Sequence, residues 1–540
     1  MHLRINYPSF GFNKFNNFDS AILQDQNYEI YISFSNKPNT VMDAKIKMRI
    51  RNKVILAGLI PAAFLTNAGM APPQEEPDKK PNIVFIFADD MGWSDAEYQG
   101  YKTTGLHETP NIDRLAAEGM ILNRFYPSAA NCAPTRACLL TGMYTPRHGV
   151  YIPQGLSRGG DVSRMRWKVP TQGKDESYHT FDVSINNVDP GFMSLAEMLK
   201  QGDYVTARLG KWHIGDDNQG FDLSSAEGTP NYVTNIWGLE RRYYTDVTVA
   251  ERLTNAAIDF IHKNQDKPFF LYLSHWEPHT PLAARPERIE YFREKFEELG
   301  ADEVDPVYAA MIEQLDVSTG RILALLEALE LEDNTMVIFT SDNGGLNRIP
   351  NNYPLRANKG SFFEGGIRTP FVVRWPGVIE PGSETDFPVN GVDFMPTFAE
   401  MASVPVPDNQ PVDGVSVLPL LKGEKMSVDH DNRTMFFHFP LYLGGQESSL
   451  PVYGGGEENY WRAVPSTTMM KGDWKLIYYY EYDSFELFNL RDDISEEHDL
   501  SSSETAIARD LLDELKSWTE EVNAPIPTVP NPKFDPSLVY

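Results

Sequence analysis

Short, almost continuous apolar runs recur along the middle of the chain, and each has the length of a β-strand. The four clearest are Asn82–Phe87, Tyr204–Leu209, Phe269–Leu273 and Met336–Thr340. An unbroken apolar run of this length is typical of a strand buried on both faces of a sheet. Between them lie stretches with helical periodicity, at Met193–Lys200, Thr248–His262 and Val307–Leu329. Strands that alternate with helices predict an α/β domain with a large mixed, mostly parallel sheet sandwiched by helices.

The pattern changes after about residue 430, where short aromatic strands follow one another without helices between them. These strands are TMFFHF, WKLIYYYE and FELFNL, and a last amphipathic helix covers about Glu504–Val522. The change predicts a smaller α+β subdomain with a short antiparallel sheet. A chain of 540 residues is also too long for one core, since domains seldom exceed about 300 residues. We therefore place the main domain at 82–430 and the subdomain at 431–540.

The N-terminal region contains a segment typical of export. From Met48, the sequence MRIRNKVILAGLIPAAFLTNAGMA has a basic start, an apolar stretch at Val54–Leu65 and small residues at its end. This order predicts a cleavable signal peptide at 48–71; a buried core segment is the alternative. The apolar stretch is too short to span a bilayer. We expect a secreted or periplasmic protein without stable membrane insertion, a mis-called or disordered start at 1–47, and a Pro-rich linker at 72–81.

The charge of the chain limits its partners. It has 48 basic and 76 acidic residues, a formal net charge of −28, and an isoelectric point of about 4.8. Proteins that coat nucleic acids have basic faces, so the composition argues against a nucleic-acid partner. An anionic substrate would need a local basic pocket within an acidic protein.

Polar and ionisable side chains follow each of the four apolar runs. They are, in chain order, Asp89 and Asp90, Lys211 and His213, His275 and His279, and Asp342 and Asn343. In open α/β sheets, ligands bind outside the carboxyl ends of the strands. The four strand ends are therefore predicted to face one pocket.

Two of these strand ends offer only oxygen ligands. Asp89 and Asp90, with Asp342 and Asn343, would suit Ca²⁺ or Mg²⁺ better than zinc, which prefers nitrogen and sulfur. A single aspartate after a strand is more often a turn former or a helix cap. Two such groups, each directly after a buried strand, favour a metal site over that alternative.

The histidines and lysines are candidates for catalysis. His213 and His279 suit general acid–base chemistry because imidazole titrates near neutral pH. An ordinary hydrogen-bonded histidine is the alternative, and we favour it for His275 and His148. Lysines 211 and 359 could hold an anion. Lys359 lies in LRANKGSFFEGGIRTP, whose small residues and turns differ from an ordinary charged surface.

Cys132 and Cys138 are the only two cysteines in the chain. In an exported protein they suggest a disulfide, but the sequence around them is compatible with a helix that Pro134 would start. Helical geometry would hold the two Cα atoms about 9 Å apart, beyond the roughly 7 Å that a disulfide allows. Cys138 is then a small buried hydrophobic residue. Cys132 would lie just before the helix, where anions bind, with Arg136 one turn further on.

The cysteine segment resembles the signature of a known family. CAPTRACLLTG, residues 132–142, is similar to the sulfatase signature Cys-x-Pro-Ser-Arg-x-x-x-Leu-Thr-Gly, with Thr135 in place of serine. Other segments agree in order: IVFIFADDMGW, LGKWHIG, PFFLYLSHWEPHTPL, YAAMIEQLDVSTGRIL, IFTSDNGG, KGSFFEGGIRTP and VDFMPTFAEMA. The resemblance covers about Pro81–Leu500 and is nearest to the arylsulfatase and polysaccharide-sulfatase group. It implies the alkaline-phosphatase-like fold of that superfamily and the hydrolysis of sulfate esters.

The resemblance also implies how the ester is cleaved. A separate maturation enzyme would oxidise Cys132 to formylglycine, an aldehyde present as its hydrate. A thiol that attacked sulfur would form an adduct with no easy exit, whereas a hydrate can attack with one hydroxyl and expel sulfate as the second collapses. One divalent cation would be bound by the formylglycine at position 132 and by Asp89, Asp90, Asp342 and Asn343. The cation is Ca²⁺ in most of the family, and Mg²⁺ is the alternative.

By matching position, three cationic residues would hold the sulfate: Arg136, Lys211 and Lys359. His279, with Lys359, would protonate the leaving alcohol, and His213 would take a proton during sulfate release. We expect a sulfated carbohydrate as substrate, because export suits the breakdown of extracellular polymers; an aryl sulfate is the simpler alternative.

Two other functions share this scaffold. A phosphodiesterase or phosphonate monoester hydrolase could have the same fold, and a glycan-binding relative could keep the metal with an unmodified Cys132. The histidines and lysines argue against the binding protein, since it would not need all of them. Two segments, Tyr151–Pro190 and Gly444–Tyr460, are candidates for substrate selection because loops carry such differences.

Overall fold

The computed structural model describes most of the chain after residue 78. The described ranges are 79–100, 105–152, 162–168, 187–215, 218–225, 246–301, 304–346, 352–444 and 461–538, with the backbone of four strands before residue 51. Most of the predicted signal peptide and linker lies outside these ranges, as does most of the two segments that we expect to select the substrate. Those assignments stay predictions. The chain divides into two units, Met1–Glu75 and Glu76–Tyr540.

Among its described residues, the first unit has four strands that pair in sequence order. They are β1 (Gly11–Phe12), β2 (Ser20–Gln24), β3 (Tyr28–Phe34) and β4 (Ala44–Ile50). Each pair is antiparallel. The sequence pattern alone does not predict this sheet.

The second unit is built on one eight-stranded sheet. Its members are β5 (Asn82–Ala88), β6 (Met120–Leu122), β8 (Val205–Gly210), β9 (Leu223–Ser224), β10 (Phe269–Ser274), β11 (Thr335–Ser341), β12 (Phe371–Arg374) and β13 (Ser383–Thr385). The spatial order is β13-β6-β12-β11-β5-β10-β8-β9. Only β12 runs antiparallel to its neighbours. This confirms the predicted mixed, mostly parallel sheet. A separate parallel pair consists of β7 (Phe125–Tyr126) and β14 (Val389–Asn390).

Helices cover both faces of this sheet. They are α1 (Pro110–Ala117), α2 (Cys132–Thr141), α3 (Thr145–His148), α4 (Leu195–Lys200), α5 (Val249–Asn264), α6 (Pro286–Leu299), α7 (Pro306–Ala328), α8 (Glu364–Ile367), α9 (Phe394–Ala402) and α10 (Leu418–Leu421). Alternate residues of β5 belong to different cores: Phe85 packs with α2, α4 and α9, and Ile86 packs with α5 and α7. Because both faces are buried, the strand is apolar after its first residue, Asn82. Within the described ranges, no helix has the length and apolar character needed to cross a bilayer.

The C-terminal part contains a second, antiparallel sheet. Its strands β15 (Thr434–Phe439), β18 (Ser466–Lys471), β19 (Trp474–Tyr479) and β20 (Ser484–Asn489) pair in that order, and β16 (Leu443–Gly444) pairs with β17 (Trp461–Ala463). The helix α11 (Thr505–Glu521) packs on this sheet, where the rings of Trp518 and Phe436 stack 4.3 Å apart. The predicted antiparallel sheet and final helix are thus confirmed; β18, whose sequence STTMMK is weakly apolar, was not predicted.

The register of the sheet brings four strand ends together. β11, β5, β10 and β8 are consecutive and parallel, so their carboxyl ends lie at one edge. At this edge β8 approaches β10 very closely: Gly210 has φ +95°, and a Cβ there would lie 1.9 Å from the carbonyl oxygen of Ser274. Glycine is needed at this position. The close approach brings Lys211, the next residue, against the end of β10.

Candidate active site

The cysteine helix is buried throughout and begins at Cys132. Asn131 precedes it in an extended conformation, and all ten residues from Cys132 to Thr141 are buried. The helix therefore starts two residues before Pro134, and Cys132 lies in its first turn instead of just before it. Thr135 Oγ1 donates to the carbonyl oxygen of Ala129 at 3.1 Å, which ties the first turn to the preceding loop. The thiol thus lies near free backbone N–H groups at the positive end of the helix.

Neither cysteine forms a disulfide, as the helical spacing predicts. Cys138 is fully buried, and its sulfur lies 3.3 Å from Nε2 of His148. His148 also accepts a hydrogen bond from the backbone of Val150 at 3.1 Å, so both residues have structural contacts. Burial raises the pKa of the Cys132 thiol, which keeps it protonated at neutral pH.

The oxygen ligands predicted from the sequence form one cluster. Asp89, Asp90, Asp342 and Asn343 are at most 1% exposed. The backbone N–H of Asp90 donates to Asp342 Oδ1 at 3.2 Å, and Asn343 Nδ2 donates to Asp90 Oδ1 at 2.7 Å. Asp90 has φ +65°, an uncommon conformation for a residue other than glycine. Such strain concentrates at functional sites, where the surrounding structure enforces it.

This cluster has the properties of a cation site. Three buried oxygens, Asp89 Oδ1, Asp90 Oδ2 and Asn343 Oδ1, accept no hydrogen bond from any described residue. Ligand atoms of Asp89, Asp90 and His279 lie within 4.8 Å of one another. Buried oxygens without donors are costly unless something else satisfies them. A hard divalent cation would do so, and the residues present therefore fit one.

Each carboxylate of the cluster is paired with one cation. Lys211 Nζ contacts Asp89, Lys359 Nζ lies 2.5 Å from Asp90 Oδ1, and Arg136 Nη2 lies 2.7 Å from Asp342 Oδ2. The three pairs are almost completely buried. The cluster is formally neutral by itself, so a divalent cation would make it positive. It would then attract an anionic substrate despite the net charge of −28 on the whole chain.

Arg136 connects α2 to three strand ends. Beside its ion pair with Asp342, its Nη1 donates to the carbonyl oxygen of Lys211 at 3.1 Å and to the hydroxyl of Ser274. Its guanidinium carbon lies 5.0 Å from the centre of the Phe87 ring. Ser274 was missed by the sequence analysis, although it is the last residue of a buried strand and directly precedes His275.

The histidines occupy different positions in this centre. His279 Nε2 lies 3.5 Å from Asp90 Oδ2, and its side chain is 20% exposed. His213 has φ +69° and interacts electrostatically with Lys211 and Arg136. His275 is fully buried, and its Nε2 lies 3.0 Å from the hydroxyl of Ser318, which fits the structural role that we favour.

Burial and the neighbouring charges together set the pKa shifts in this centre. Burial opposes ionisation of Asp90, but Lys359 and His279 bring its pKa below the usual value. Burial raises the pKa of Asp89 well above its usual value, although Lys211 acts against this. Burial lowers the pKa of His279 to about 3. Burial and the charge of Lys211 likewise lower the pKa of His213, so both imidazoles are neutral near pH 7.

The loop that carries Lys359 is fixed to the strand end and to the cysteine helix. The backbone N–H of Lys359 donates to the carbonyl oxygen of Gly345 at 3.0 Å, and that of Gly360 donates to the carbonyl oxygen of Ala130 at 2.8 Å. Close packing requires glycine at 344, where a Cβ would lie 1.8 Å from the carbonyl oxygen of Gly365. The loop therefore connects β11 with the start of α2.

The structure thus brings the ten sequence-predicted site residues into one connected centre. They are Asp89, Asp90, Cys132, Arg136, Lys211, His213, His279, Asp342, Asn343 and Lys359. Carboxylates, ammonium groups, a guanidinium and imidazoles at the carboxyl edge of a parallel sheet can bind a cation and an oxyanion together. They can also move protons.

The chain is also similar to known proteins. A family model described as Sulfatase matches residues 81–404, and one described as N-sulphoglucosamine sulphohydrolase, C-terminal, matches residues 357–523. A Sulfatase of Formosa agariphila is 30% identical and covers 92% of this chain and 99% of its own. The N-acetylgalactosamine-6-sulfatase of Canis lupus familiaris is 31% identical and covers 70% of this chain and 71% of its own. The solved structure of Ps i-CgsB in complex with k-i-k-neocarrahexaose has a TM-score of 0.62 and 28% identity, and covers 82% of this chain and 93% of that chain.

Proposed function

The protein belongs to the sulfatase family, whose members hydrolyse sulfate esters, and from this premise we propose that it is an exported carbohydrate sulfatase in which Cys132 is converted to formylglycine. One observation carries the proposal. A buried cysteine opens a helix inside a centre where three cations pair with three carboxylates. A buried, protonated thiol is a poor nucleophile. Formylglycine, when hydrated, supplies the hydroxyl that attacks sulfur.

The cation of this centre would be Ca²⁺, with Mg²⁺ as the alternative. Asp89, Asp90, Asp342 and Asn343 would hold it together with residue 132, and the three buried oxygens that accept no hydrogen bond from any described residue support this set. Bound there, the cation polarises the sulfate and lowers the pKa of the attacking hydroxyl. The all-oxygen donor set of these four side chains favours a hard cation over zinc.

Three cationic side chains would hold the sulfate oxygens. Arg136 is held by Asp342 and by the carbonyl oxygen of Lys211, so its guanidinium is fixed before substrate arrives. Lys211 contacts Asp89, and Lys359 contacts Asp90. Preorganised charges of this kind stabilise charge that develops in the transition state.

Proton transfer would involve the two histidines and Lys359. Lys359 and His279 contact different oxygens of Asp90, so both lie next to this carboxylate. We assign the protonation of the leaving alcohol to His279 together with Lys359, whose acidic partners hold it in its charged form. The neutral imidazole of His213 suits the acceptance of a proton during sulfate release.

The substrate would be a sulfated carbohydrate. This part of the proposal is supported by the relatives, one named as an N-acetylgalactosamine-6-sulfatase and one solved with a neocarrahexaose. Export, predicted from residues 48–71, would give the enzyme access to extracellular polymers. Maturation would need a separate formylglycine-generating enzyme as partner.

Two measurements test the proposal. The mass of the peptide that contains Cys132 is determined after expression in a host with the maturation enzyme, and sulfate release is assayed on sulfated sugars and on an aryl phosphodiester. We expect formylglycine at residue 132, and sulfate release that Cys132→Ala abolishes. A free thiol in fully active protein would refute the proposed nucleophile. A large preference for the phosphodiester would refute the proposed substrate class.

A further inference from the structure

A cavity lies between the segment at residues 162–168 and the C-terminal residues 529–538. Its volume is about 690 Å³. The residues that line it include Arg166, Trp167, Tyr482, Pro530, Asn531 and Phe534. The proposed mechanism uses none of them.

The walls of this cavity are fixed by hydrogen bonds between segments far apart in sequence. The indole of Trp167 donates to the carbonyl oxygen of Tyr480 at 3.0 Å. The buried side chain of Asn531 donates to the carbonyl oxygen of Met165 at 2.7 Å. The backbone N–H of Asn531 donates to the carbonyl oxygen of Arg166 at 2.9 Å. A site formed in advance loses less conformational entropy when it binds a ligand.

The lining combines aromatic rings with positive charge. Trp167, Tyr482 and Phe534 are only partly buried, and such rings offer apolar faces on which sugar rings can pack. The segment VSRMRWK, residues 162–168, carries three cations in a chain of net charge −28. The exposed Arg166 lies 5.5 Å from the Trp167 ring and donates to the carbonyl oxygen of Glu481 at 2.8 Å, so its orientation is fixed. A guanidinium in a fixed position suits an oxyanion such as a sulfate group.

Two adjacent residues connect the cavity to the loop that carries Lys359. The hydroxyl of Tyr442 accepts a hydrogen bond from the backbone of Trp167 at 3.2 Å. The next residue, Leu443, packs against Gly360, where a Cβ would lie 2.6 Å from its Cδ2. Gly360 directly follows Lys359. The cavity and the loop that carries Lys359 therefore belong to one packed region of the structure.

We propose that the cavity is a second saccharide subsite, which binds a sulfated sugar of the polymer at a distance from the sulfate that is cleaved. Trp167 and Tyr482 pack against the sugar ring, and Arg166 binds its sulfate. The proposal rests on the proposed function as a carbohydrate sulfatase, because a subsite of this kind requires a polymeric substrate.

Affinity electrophoresis of the full chain tests the subsite directly. Gels contain ι-carrageenan, chondroitin 6-sulfate or the chemically desulfated form of either polymer. We expect at least one sulfated polymer to retard the protein, Arg166→Glu to weaken this at least fivefold, and Arg293→Glu, at an exposed arginine of α6, to have no such effect. Trp167→Ala should act like Arg166→Glu. Equal retardation by the desulfated polymer, or retardation by no polymer, overturns the proposal.

Kinetics separate this proposal from the proposed function. The ratio of kcat/KM on the retarding polymer to kcat/KM on an aryl sulfate should fall at least fivefold in Arg166→Glu, chiefly through KM. An unchanged ratio overturns the subsite. If the wild type releases sulfate from no ester, the proposed function fails, while the gels still decide whether the cavity binds a sulfated sugar.

Discussion

The guanidinium of Arg136 lies 2.7 Å from the carboxylate of Asp342, and neither side chain is exposed to solvent. The pair joins the cysteine helix to the end of β11. Because the same guanidinium donates to the carbonyl oxygen of Lys211 and to the hydroxyl of Ser274, it also fixes the ends of β8 and β10. Arg136 thus holds the architecture of the centre as well as its charge.

Arg136→Met should therefore reduce both stability and activity. Removing one partner of a buried pair leaves an uncompensated charge, here Asp342, and such changes cost about 3–5 kcal/mol. Chemical denaturation of the variant would measure this loss in the free energy of unfolding. Arg114→Met is the control, since its pairs with Glu118 and Glu327 are 38% exposed and should be worth less than about 1 kcal/mol. Equal losses in the two variants would contradict the structural role of the Arg136 pair.

Removal of the divalent cation should lower the melting temperature and abolish turnover. A cation that binds only the folded state, at 100 times its Kd, stabilises that state by about 2.7 kcal/mol. Thermal unfolding with a chelator, and then with added Ca²⁺ or Mg²⁺, would measure this shift. Asp89→Asn should lose most of the shift because it removes a charged ligand, whereas Asp510→Asn, at an exposed carboxylate of α11, should keep it. A shift that is the same in both variants would place the cation elsewhere.

The catalytic strand ends could be predicted from sequence because their signals are local. Asp89, Lys211 and Asp342 each follow an unbroken apolar run, and buried parallel strands necessarily end at one edge. Lys359 was identified by the small residues around it and by resemblance. The pairings could not be predicted: Lys475 contacts Glu364 across 111 positions of sequence, and no local pattern encodes such a contact.

The two cysteines should respond oppositely to replacement by alanine. Cys138 is fully buried beside His148 in a hydrophobic cluster. Cys138→Ala should therefore cost about 1–2 kcal/mol of stability through lost packing and retain turnover after maturation. Cys132→Ala should abolish turnover in protein that remains folded, because residue 132 supplies the proposed nucleophile. Loss of turnover in a folded Cys138→Ala protein would show that Cys138 has a role beyond packing.

Glu481 should make stability depend on pH. Burial raises the pKa of this carboxyl to about 7, above its usual value of 4.5. The folded state thus binds more protons than the unfolded state between these values, and its stability falls as pH rises from about 4.5 to 7. Glu481→Gln removes this effect. The free energy of unfolding of the variant, relative to that of the wild type, should therefore be about 1–3 kcal/mol higher at pH 8 than at pH 4.5. Denaturation at both pH values tests this. The same dependence of stability on pH in the wild type and in Glu481→Gln would contradict the assignment to Glu481.

Lys475 should control the loop that carries Lys359. Its buried ammonium lies 2.9 Å from Glu364 and 2.8 Å from Glu496. Glu496 also accepts a hydrogen bond from the backbone of Glu364 at 2.6 Å, and its carbonyl oxygen accepts one from Arg356 at 2.8 Å. Both donors flank Lys359 in sequence, so the C-terminal sheet holds this loop from outside.

Lys475→Met leaves two buried carboxylates and should cost about 3–5 kcal/mol. Adding Glu496→Gln removes one of those charges. The double variant should therefore be about 1–3 kcal/mol more stable than the sum of the two single losses predicts. Both variants should lower kcat more than KM, because Lys359 is displaced while the rest of the centre persists. Urea denaturation and steady-state kinetics measure the two effects. Lys471→Met is the control, since its ion pair with Glu514 is partly exposed. If the stability losses of Lys475→Met and Glu496→Gln simply add in the double variant, the buried charges do not act as one unit.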